Sequence, residues 1–453
     1  MATIKLLKGI RENIAFSSQK KIFSASVIIM IISLGVKVVS TVKEMVVASH
    51  FGVSPQLDAF LVAYIIPSFL VSLFSGSLNS ALIPTYVHVK HIDGDKEANK
   101  LFLGVETLTS ILLLAIVLLL YLITPILFNL VFQTVKSGTL LLTQHLFLIL
   151  LPFTFLAGIE TLWKGVINAN ESFTVTVLVP LITPSVNILA IMLFPESVGI
   201  YAYAISFIMG FVVEIFIMGI VLIKHKIPII PKRWIWNQWV KQVLYQYLPM
   251  LSGALLMSST TLVDRAMASS LGAGSISILN YSTKIVSVIV GVASMAFGTV
   301  VLPYFSKLVS RQEWSEIRKS YRFWSFAFMA FSIPMTLLLI IFSKPIVELL
   351  FQRGNFSASD ASKVSLTQIG LVLQMPFYLL GILTVRLIEA LKGARVFIIG
   401  NAINAVVNVT FNWILMKYMG VVGIALSTSI VYLVSYIYLN IRLNGMMRRI
   451  KNA

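Results

Sequence analysis

The sequence predicts an all-α polytopic membrane protein of about twelve transmembrane helices, arranged as two six-helix lobes around a central cavity. Three observations carry that prediction. Of 453 residues, 58% are hydrophobic and 11% charged, with a mean hydropathy of +0.93. A soluble chain carries charge on about a quarter of its residues, so this one must find its solvent in lipid. Apolar runs of about 20 residues, enough to cross the hydrocarbon layer, recur along the whole length. Finally, residues 42–86 echo in residues 263–305: Ala48-Ser49 returns as Ala268-Ser269, Gly52 as Gly272 and Ile83-Pro84 as Leu302-Pro303.

Hydropathy and helix breakers place the spans at 23–50, 57–87, 101–131, 140–167, 174–194, 198–223, 244–271, 275–306, 321–343, 362–392, 396–417 and 421–445. The arm at 1–22 is basic (Lys5, Lys8, Arg11, Lys20, Lys21) and runs into a long apolar helix without a small-residue cleavage site, so the first helix is expected to be retained. The first span carries Lys37, Lys43 and Glu44. The second opens after Ser54-Pro55 with Asp58, and Pro67, Gly76 and Pro84 are expected to interrupt it. Spans three to six complete a first lobe, 23–223. The segment 224–243 follows, basic and rich in tryptophan; Trp234, Trp236 and Trp239 beside Lys232 and Arg233 suit either a strip in the headgroup layer or an anchored linker. The second lobe, 244–445, brings Asp264 and Arg265 on span seven and Lys284 on span eight, which Gly291 and Gly298 loosen. Asn404, Asn408 and Asn412 form one polar stripe on span eleven. Span twelve opens on Val422-Gly423-Ile424, an echo of Val198-Gly199-Ile200 at span six, and a basic tail, 446–453, ends the chain.

Charge sets the orientation. Lys and Arg concentrate in the arm, in 88–100, 224–241, 307–322 and 392–395, and in the tail from Arg442. The other face shows only Lys136, Lys344, Arg353, Lys363 and Lys417. Both termini are therefore expected in the cytoplasm, and both lobes enter the membrane from that side as parallel repeats. The net charge of +18 follows from this bias and forms no soluble basic face, which argues against nucleic acid. The chain has no cysteine, excluding disulfides and thiol chemistry. His50, His88, His91, His145 and His225 lack metal-ligand spacing, and there is no phosphate-binding loop for ATP hydrolysis. No enzyme signature emerges.

Charges inside apolar spans are costly and mark either pairing or a wetted pathway, the pattern expected of a transporter. Lys37 and Lys43, six residues apart, point about 120° away from each other on one helix. Glu44 is the immediate neighbour of Lys43, and adjacent positions do not face each other, so the lysine is expected to find its partner elsewhere. Lys37, Lys43 and Lys284 suit a cationic cavity for an anionic headgroup; the alternative has them paired with Glu44, Asp58 or Asp264, or Lys43 snorkelling. Glu44 and Arg265 suit gating or pairing. Asp58 suits first-turn complementation of its helix dipole as well as substrate contact. The asparagine stripe either glues helices or, with Thr428 and Asp264, binds a small cation.

Four stretches together resemble the MurJ (MviN) family of lipid II flippases, within the superfamily of multidrug and polysaccharide exporters. They are VKEMVVASHFGVSPQLDAFLVAYIIP at 42–67, DRAMASSLGAGSISILNYSTKI at 264–285 with FGTVVLPYFS after it, LLFQRGNFSASD at 349–360 and GVVGIALSTSI at 420–430. The resemblance implies two six-helix lobes around a V-shaped cavity, in the bacterial inner membrane. It also implies transfer of an undecaprenyl-pyrophosphate-linked glycan from the inner to the outer leaflet by alternating access, by a protein acting as a monomer. It places Lys37, Lys43 and Lys284 where the family carries cavity arginines and matches Asp58 to its acidic residue. It likens Asp264, Asn408, Asn412 and Thr428 to a sodium site, with Na+ as coupling ion and no other cofactor. Its implied partners are the lipid-linked oligosaccharide and membrane lipids. Departures keep alternatives open: Val71 and Ser72 stand at basic positions of the family, lysine supplies a point charge where arginine would clamp phosphate, and about twelve spans are expected where typical members have two more. A flippase for another lipid-linked polysaccharide unit is the second reading. A small-molecule antiporter is the third, disfavoured for cationic drugs by a cationic cavity.

Overall fold

The computed structural model describes residues 31–131, 137–195, 198–230 and 235–452. Among these, every regular element is helical. The order is α1 (31–51), α2 (Pro55–Ile92), α3 (Asp95–Val131), α4 (Ser137–Ala169), α5 (Phe173–Leu178), a 3-10 turn at Val179–Leu181, α6 (Ile182–Leu193), α7 (Gly199–Lys224), α8 (Gln238–Ser269), α9 (Ser275–Ser310), α10 (Trp314–Ile341), α11 (Ser343–Phe351), α12 (Ala358–Val372), α13 (Met375–Ala390), α14 (Ala394–Met419) and α15 (Val421–Asn452). The arm and the start of the first span lie outside the described residues, as do Lys136, Lys232, Arg233 and Trp234.

Local signals start these helices where side-chain chemistry allows. Ser54 caps α2 by accepting from the Leu57 N–H, with Pro55 in the first turn. Asn237 caps α8 in the same way, and Ser357 with Asp360 forms a reciprocal capping box on α12. Among the described residues, nine helical segments are long and apolar enough to cross a membrane. The expected spans 23–50, 244–271 and 275–306 are not among the nine. These three carry Lys37, Lys43, Glu44, Asp264, Arg265 and Lys284.

Several expectations change. Pro67 and Pro84 do not interrupt α2, which runs unbroken for 38 residues. Hydroxyls of Ser68, Ser77, Ser80 and Thr85 bond carbonyls three or four residues back and supply polar partners along it. The breaks fall elsewhere: at Pro180 in the fifth span, and at Leu373-Gln374 in the tenth. A short helix unforeseen in the sequence, α11, follows the ninth span. The segment 224–243 is also not wholly a linker, since α8 begins at Gln238. Its first turns bury Val240 and Val243 against the N-terminal half, and Trp239 packs edge-on to His88 instead of lying free in the headgroup layer.

Apolar burial is arranged in three cores. One joins both halves: Val47, Phe51, Leu57 and Phe60 meet Leu279, Tyr281, Phe351, Phe356 and Val364. The second holds Leu82, Tyr86, Phe102 and Trp163 with the start of α8, and the third holds Phe305, Leu379, Leu383, Leu387 and Leu443. The halves are thus fused at one end, where 52–54, 270–274 and 352–357 meet, and keep separate cores toward the other. In lipid, burial of apolar surface between helices gains little over lipid tails, so close packing and polar contacts decide which end stays shut.

Candidate functional site

At the fused end, the contact is built from backbone and one carboxylate. The Asp58 carboxylate accepts from the Gly274 N–H, from the Ser277 N–H at 2.8 Å and from the Ser277 hydroxyl at 2.5 Å. Asp58 therefore caps the N-terminus of α9 in the opposite half, where orphan N–H groups and the helix dipole favour an anion. Asp58 stands in the first turn of its own helix as expected, and the cross-lobe cap is added to that role. Beside it the Tyr281 hydroxyl donates to the Gly52 carbonyl (3.2 Å), and the Asn355 N–H donates to the Ser49 carbonyl (2.8 Å). Gly52 and Gly354 both have positive φ, +59° and +57°. A Cβ on either would lie 2.3 Å from the Asn355 oxygen or 2.2 Å from the Ser49 oxygen. The backbones can touch here only because both residues are glycine.

Toward the membrane interior from this latch, three of the predicted charges converge. Glu44 Oε1 lies 2.7 Å from Lys43 Nζ and 2.9 Å from Lys284 Nζ, one lysine from each half. The Lys43 ammonium also donates to the Tyr203 hydroxyl at 3.3 Å. The expectation that Lys43 and Glu44 cannot meet is overturned. Adjacent Cβ atoms diverge, but a four-carbon stem is long enough to bring the ammonium back across the helix. Glu44 is buried, while the Lys284 side chain remains 42% exposed. Lys37 does not bond Glu44 but reaches α9, where its Nζ lies 3.0 Å from where a Gly291 Cβ would stand. No ion pair to Lys37 occurs among the described residues. Lys37, Glu44 and Lys284 line one cavity of about 420 Å³ with Ser40, Thr41 and Ser287, and Leu339, Ile346 and Phe351 add apolar lining. Lys37 and Lys284 against Glu44 leave an excess of one positive charge in its lining, and Lys43, bound to the same carboxylate without lining the cavity, adds a second beside it.

A second polar centre lies within the C-terminal half. Asp264 Oδ1 accepts from Asn408 Nδ2 at 2.8 Å and Asn412 Nδ2 at 2.7 Å, and its Oδ2 accepts from the Thr428 hydroxyl at 3.2 Å. Asn404 instead donates to Ser435 (3.2 Å). The amide oxygens of Asn404, Asn408 and Asn412 are buried without a hydrogen-bond partner. The Asp264 carboxylate and the Thr428 hydroxyl offer oxygens that suit a hard cation; Asn408 and Asn412 present N–H groups to the carboxylate and would have to turn their amides for their oxygens to join, while Asn404, about 12 Å along the helix from Asn412, stands outside the set. The centre opens into a cavity of about 510 Å³ that also reaches the Arg386–Glu389 ion pair. Arg265 adjoins Asp264 in sequence and interacts electrostatically with it and with Tyr64 of α2. It takes no part in the Glu44 cluster. Sequence reasoning missed Tyr203 and Arg386–Glu389, because neither carries a local motif.

Two pseudo-repeated helical lobes, fused at one end over a cation-lined cavity with carboxylates buried in the spans, define a multi-pass membrane transporter. The chain belongs to the lipid II flippase MurJ family, whose model matches residues 47–451. The probable lipid II flippase MurJ of Rickettsia prowazekii is 24% identical over 90% of this chain and 81% of its own length. The lipid II flippase MurJ of Thermosipho africanus is 26% identical over 92% and 85%. A solved structure described as lipid II flippase MurJ in an inward closed conformation superposes with a TM-score of 0.79 at 25% identity, covering 94% of this chain and 90% of that one. An inward-facing multidrug resistance MATE transporter of the MOP superfamily shares the fold, with a TM-score of 0.73 at 14% identity over 92% of this chain and 99% of its own.

Proposed function

We propose that this protein moves lipid II, an undecaprenyl-pyrophosphate-linked glycan precursor, from the inner to the outer leaflet by alternating access. The observation that carries the reading is the Lys43–Glu44–Lys284 cluster. It joins the two lobes through one carboxylate in a cavity with excess positive charge, and an entering pyrophosphate can take both lysines from Glu44. Lys37, also lining this cavity, adds a third cation for the second phosphate. The polyprenyl tail stays in lipid between the lobes while the headgroup crosses. Release of Asp58 from the N-terminus of α9, with parting of the Gly52 and Gly354 contacts, opens the fused end.

On this reading both termini are cytoplasmic, the fused end faces outward and a single copy suffices. The reading assigns no covalent chemistry. Asp264, Asn408, Asn412 and Thr428 would hold Na+, whose bound charge would bias the C-terminal lobe toward one packing.

Complementation tests the proposal. In cells depleted of their essential lipid II flippase, the wild-type chain restores growth, and Lys43→Ala/Lys284→Ala fails at equal membrane abundance. Full rescue by the double variant would overturn the headgroup assignment, and failure of the wild type would overturn the substrate.

A further inference from the structure

A groove between α9 and α10 opens on the basic side of the protein, beside the charged segment 307–322, and encloses about 440 Å³. Its lining is graded by depth. Glu316 and Lys319 stand at the mouth, in the first turns of α10. Next, the Tyr304 hydroxyl of α9 meets the Ser320 hydroxyl at 2.8 Å, an arrangement that leaves one O–H free to donate. Below them lie Val301, Phe323 and Trp324. From Glu316 to Trp324 the lining passes from charged to apolar over about 12 Å of helix. Phe323 is 62% exposed and Tyr304 40%, so the groove is open to the membrane along its side.

The two charges at the mouth do not satisfy each other. Elsewhere in this chain an acid and a base three positions apart close into an ion pair, Glu97–Lys100 at 2.6 Å and Arg386–Glu389 at 2.8 Å. Glu316 and Lys319 have the same spacing and make no ion pair or hydrogen bond among the described residues.

Each property of the lining specifies part of one ligand. Charge, then hydroxyl, then aromatic surface is the order met by a phospholipid standing in its own leaflet, from headgroup through glycerol esters to chains. One carboxylate and one ammonium leave the mouth without net charge, which suits a zwitterion and sets Glu316 against an anionic lipid. A primary ammonium can donate to that carboxylate, whereas a quaternary one has no N–H to offer. The two-carbon linker of an ethanolamine headgroup holds ammonium and phosphate at a separation comparable to the about 5–6 Å between Cβ atoms three positions apart on a helix. We propose that this groove binds phosphatidylethanolamine. Its ammonium lies on Glu316, its phosphate on Lys319, an ester oxygen on the Tyr304–Ser320 hydroxyl pair and its chains over Phe323 and Trp324. The assignment does not depend on what the protein carries across the membrane.

Native mass spectrometry tests it, counting the lipids that the full chain retains when released from nanodiscs of equal phosphatidylethanolamine, phosphatidylglycerol and phosphatidylcholine. The wild type should retain phosphatidylethanolamine over either other lipid by about fivefold, the size of one exposed charge contact. Glu316→Gln should remove the preference, and Glu316→Lys should turn it toward phosphatidylglycerol. Glu313→Gln, which removes the partner of Arg311 (3.7 Å) outside the groove, should leave it unchanged. Equal retention of the three lipids by the wild type, or a phosphatidylethanolamine preference that survives Glu316→Lys, overturns the site. The wild-type count decides by itself where a variant fails to fold.

Discussion

Replacing Asp58 with alanine should open the fused end. The carboxylate holds two backbone donors of α9 and one hydroxyl, all from the opposite lobe. Each buried donor left without a partner costs about 1–3 kcal/mol, so two N–H groups give about 2–6 kcal/mol in all. Water reaching the parted ends recovers part of that, and about 3 kcal/mol is a fair central figure. Since 1.4 kcal/mol is a factor of ten, the closed arrangement should lose a little over a hundredfold in relative population. A lobe pair held 99:1 would fall to about 1:1. The absence of cysteine makes the measurement direct. Spin labels at Gln56→Cys and Ser270→Cys, both exposed and in opposite lobes, report the separation. The wild type should give one short distance, and Asp58→Ala should add a longer one of comparable weight. An unchanged distance distribution, with unchanged thermal stability, would refute the latch.

Three further outcomes follow from the same geometry. Gly354→Ala puts a methyl group 2.2 Å from the Ser49 oxygen at a positive φ, so it should open the same label pair more than Gly272→Ala. A Cβ at Gly272 meets nothing within 4 Å and should cost only the left-handed strain of about 1–2 kcal/mol. Glu44→Gln removes the carboxylate that competes for Lys43 and Lys284, and binding of inorganic pyrophosphate to purified protein should tighten by about tenfold, measured calorimetrically; weaker binding would contradict the exchange of partners. Sodium should raise the melting temperature relative to potassium, by about 1.4 kcal/mol of stabilisation near ten times its dissociation constant, and Asp264→Ala should abolish the difference.

The same short motifs that suggested kinship in the sequence turn out to have a common mechanical role. Phe51-Gly52, Asp58, Gly274 through Ser277, and Phe351 through Phe356 are far apart along the chain yet meet at the fused end. Two glycines there allow carbonyls and N–H groups of opposite lobes to bond without intervening side chains. Phe351 and Phe356 then pack on Tyr281, with ring centroids 5.1 and 5.4 Å away. A gate of this kind is strong when closed and has few ways to close wrongly, since each contact needs backbone from both lobes.

Composition and hydropathy determined the fold class, because a chain this poor in charge can be solvated only by lipid and can satisfy its backbone there only as helices. The internal echo pointed to a duplication, and charges in otherwise apolar spans pointed to Lys43, Glu44, Lys284 and Asp264. Spacing alone correctly sent Lys37 and Lys43 to different neighbours and put Asn408 and Asn412 on one face. What pairs with what required the tertiary structure. Helical periodicity fixes where a Cβ points, but not where a long flexible side chain ends, and so Lys43 reaches Glu44 against the simple rule. Nor can periodicity show that Asp58 caps a helix more than 200 residues away. Nor does any local pattern show that Glu214 of α7 takes the N–H and hydroxyl of Thr183, a contact that rests on the helix break at Pro180 and the close approach left by Gly210.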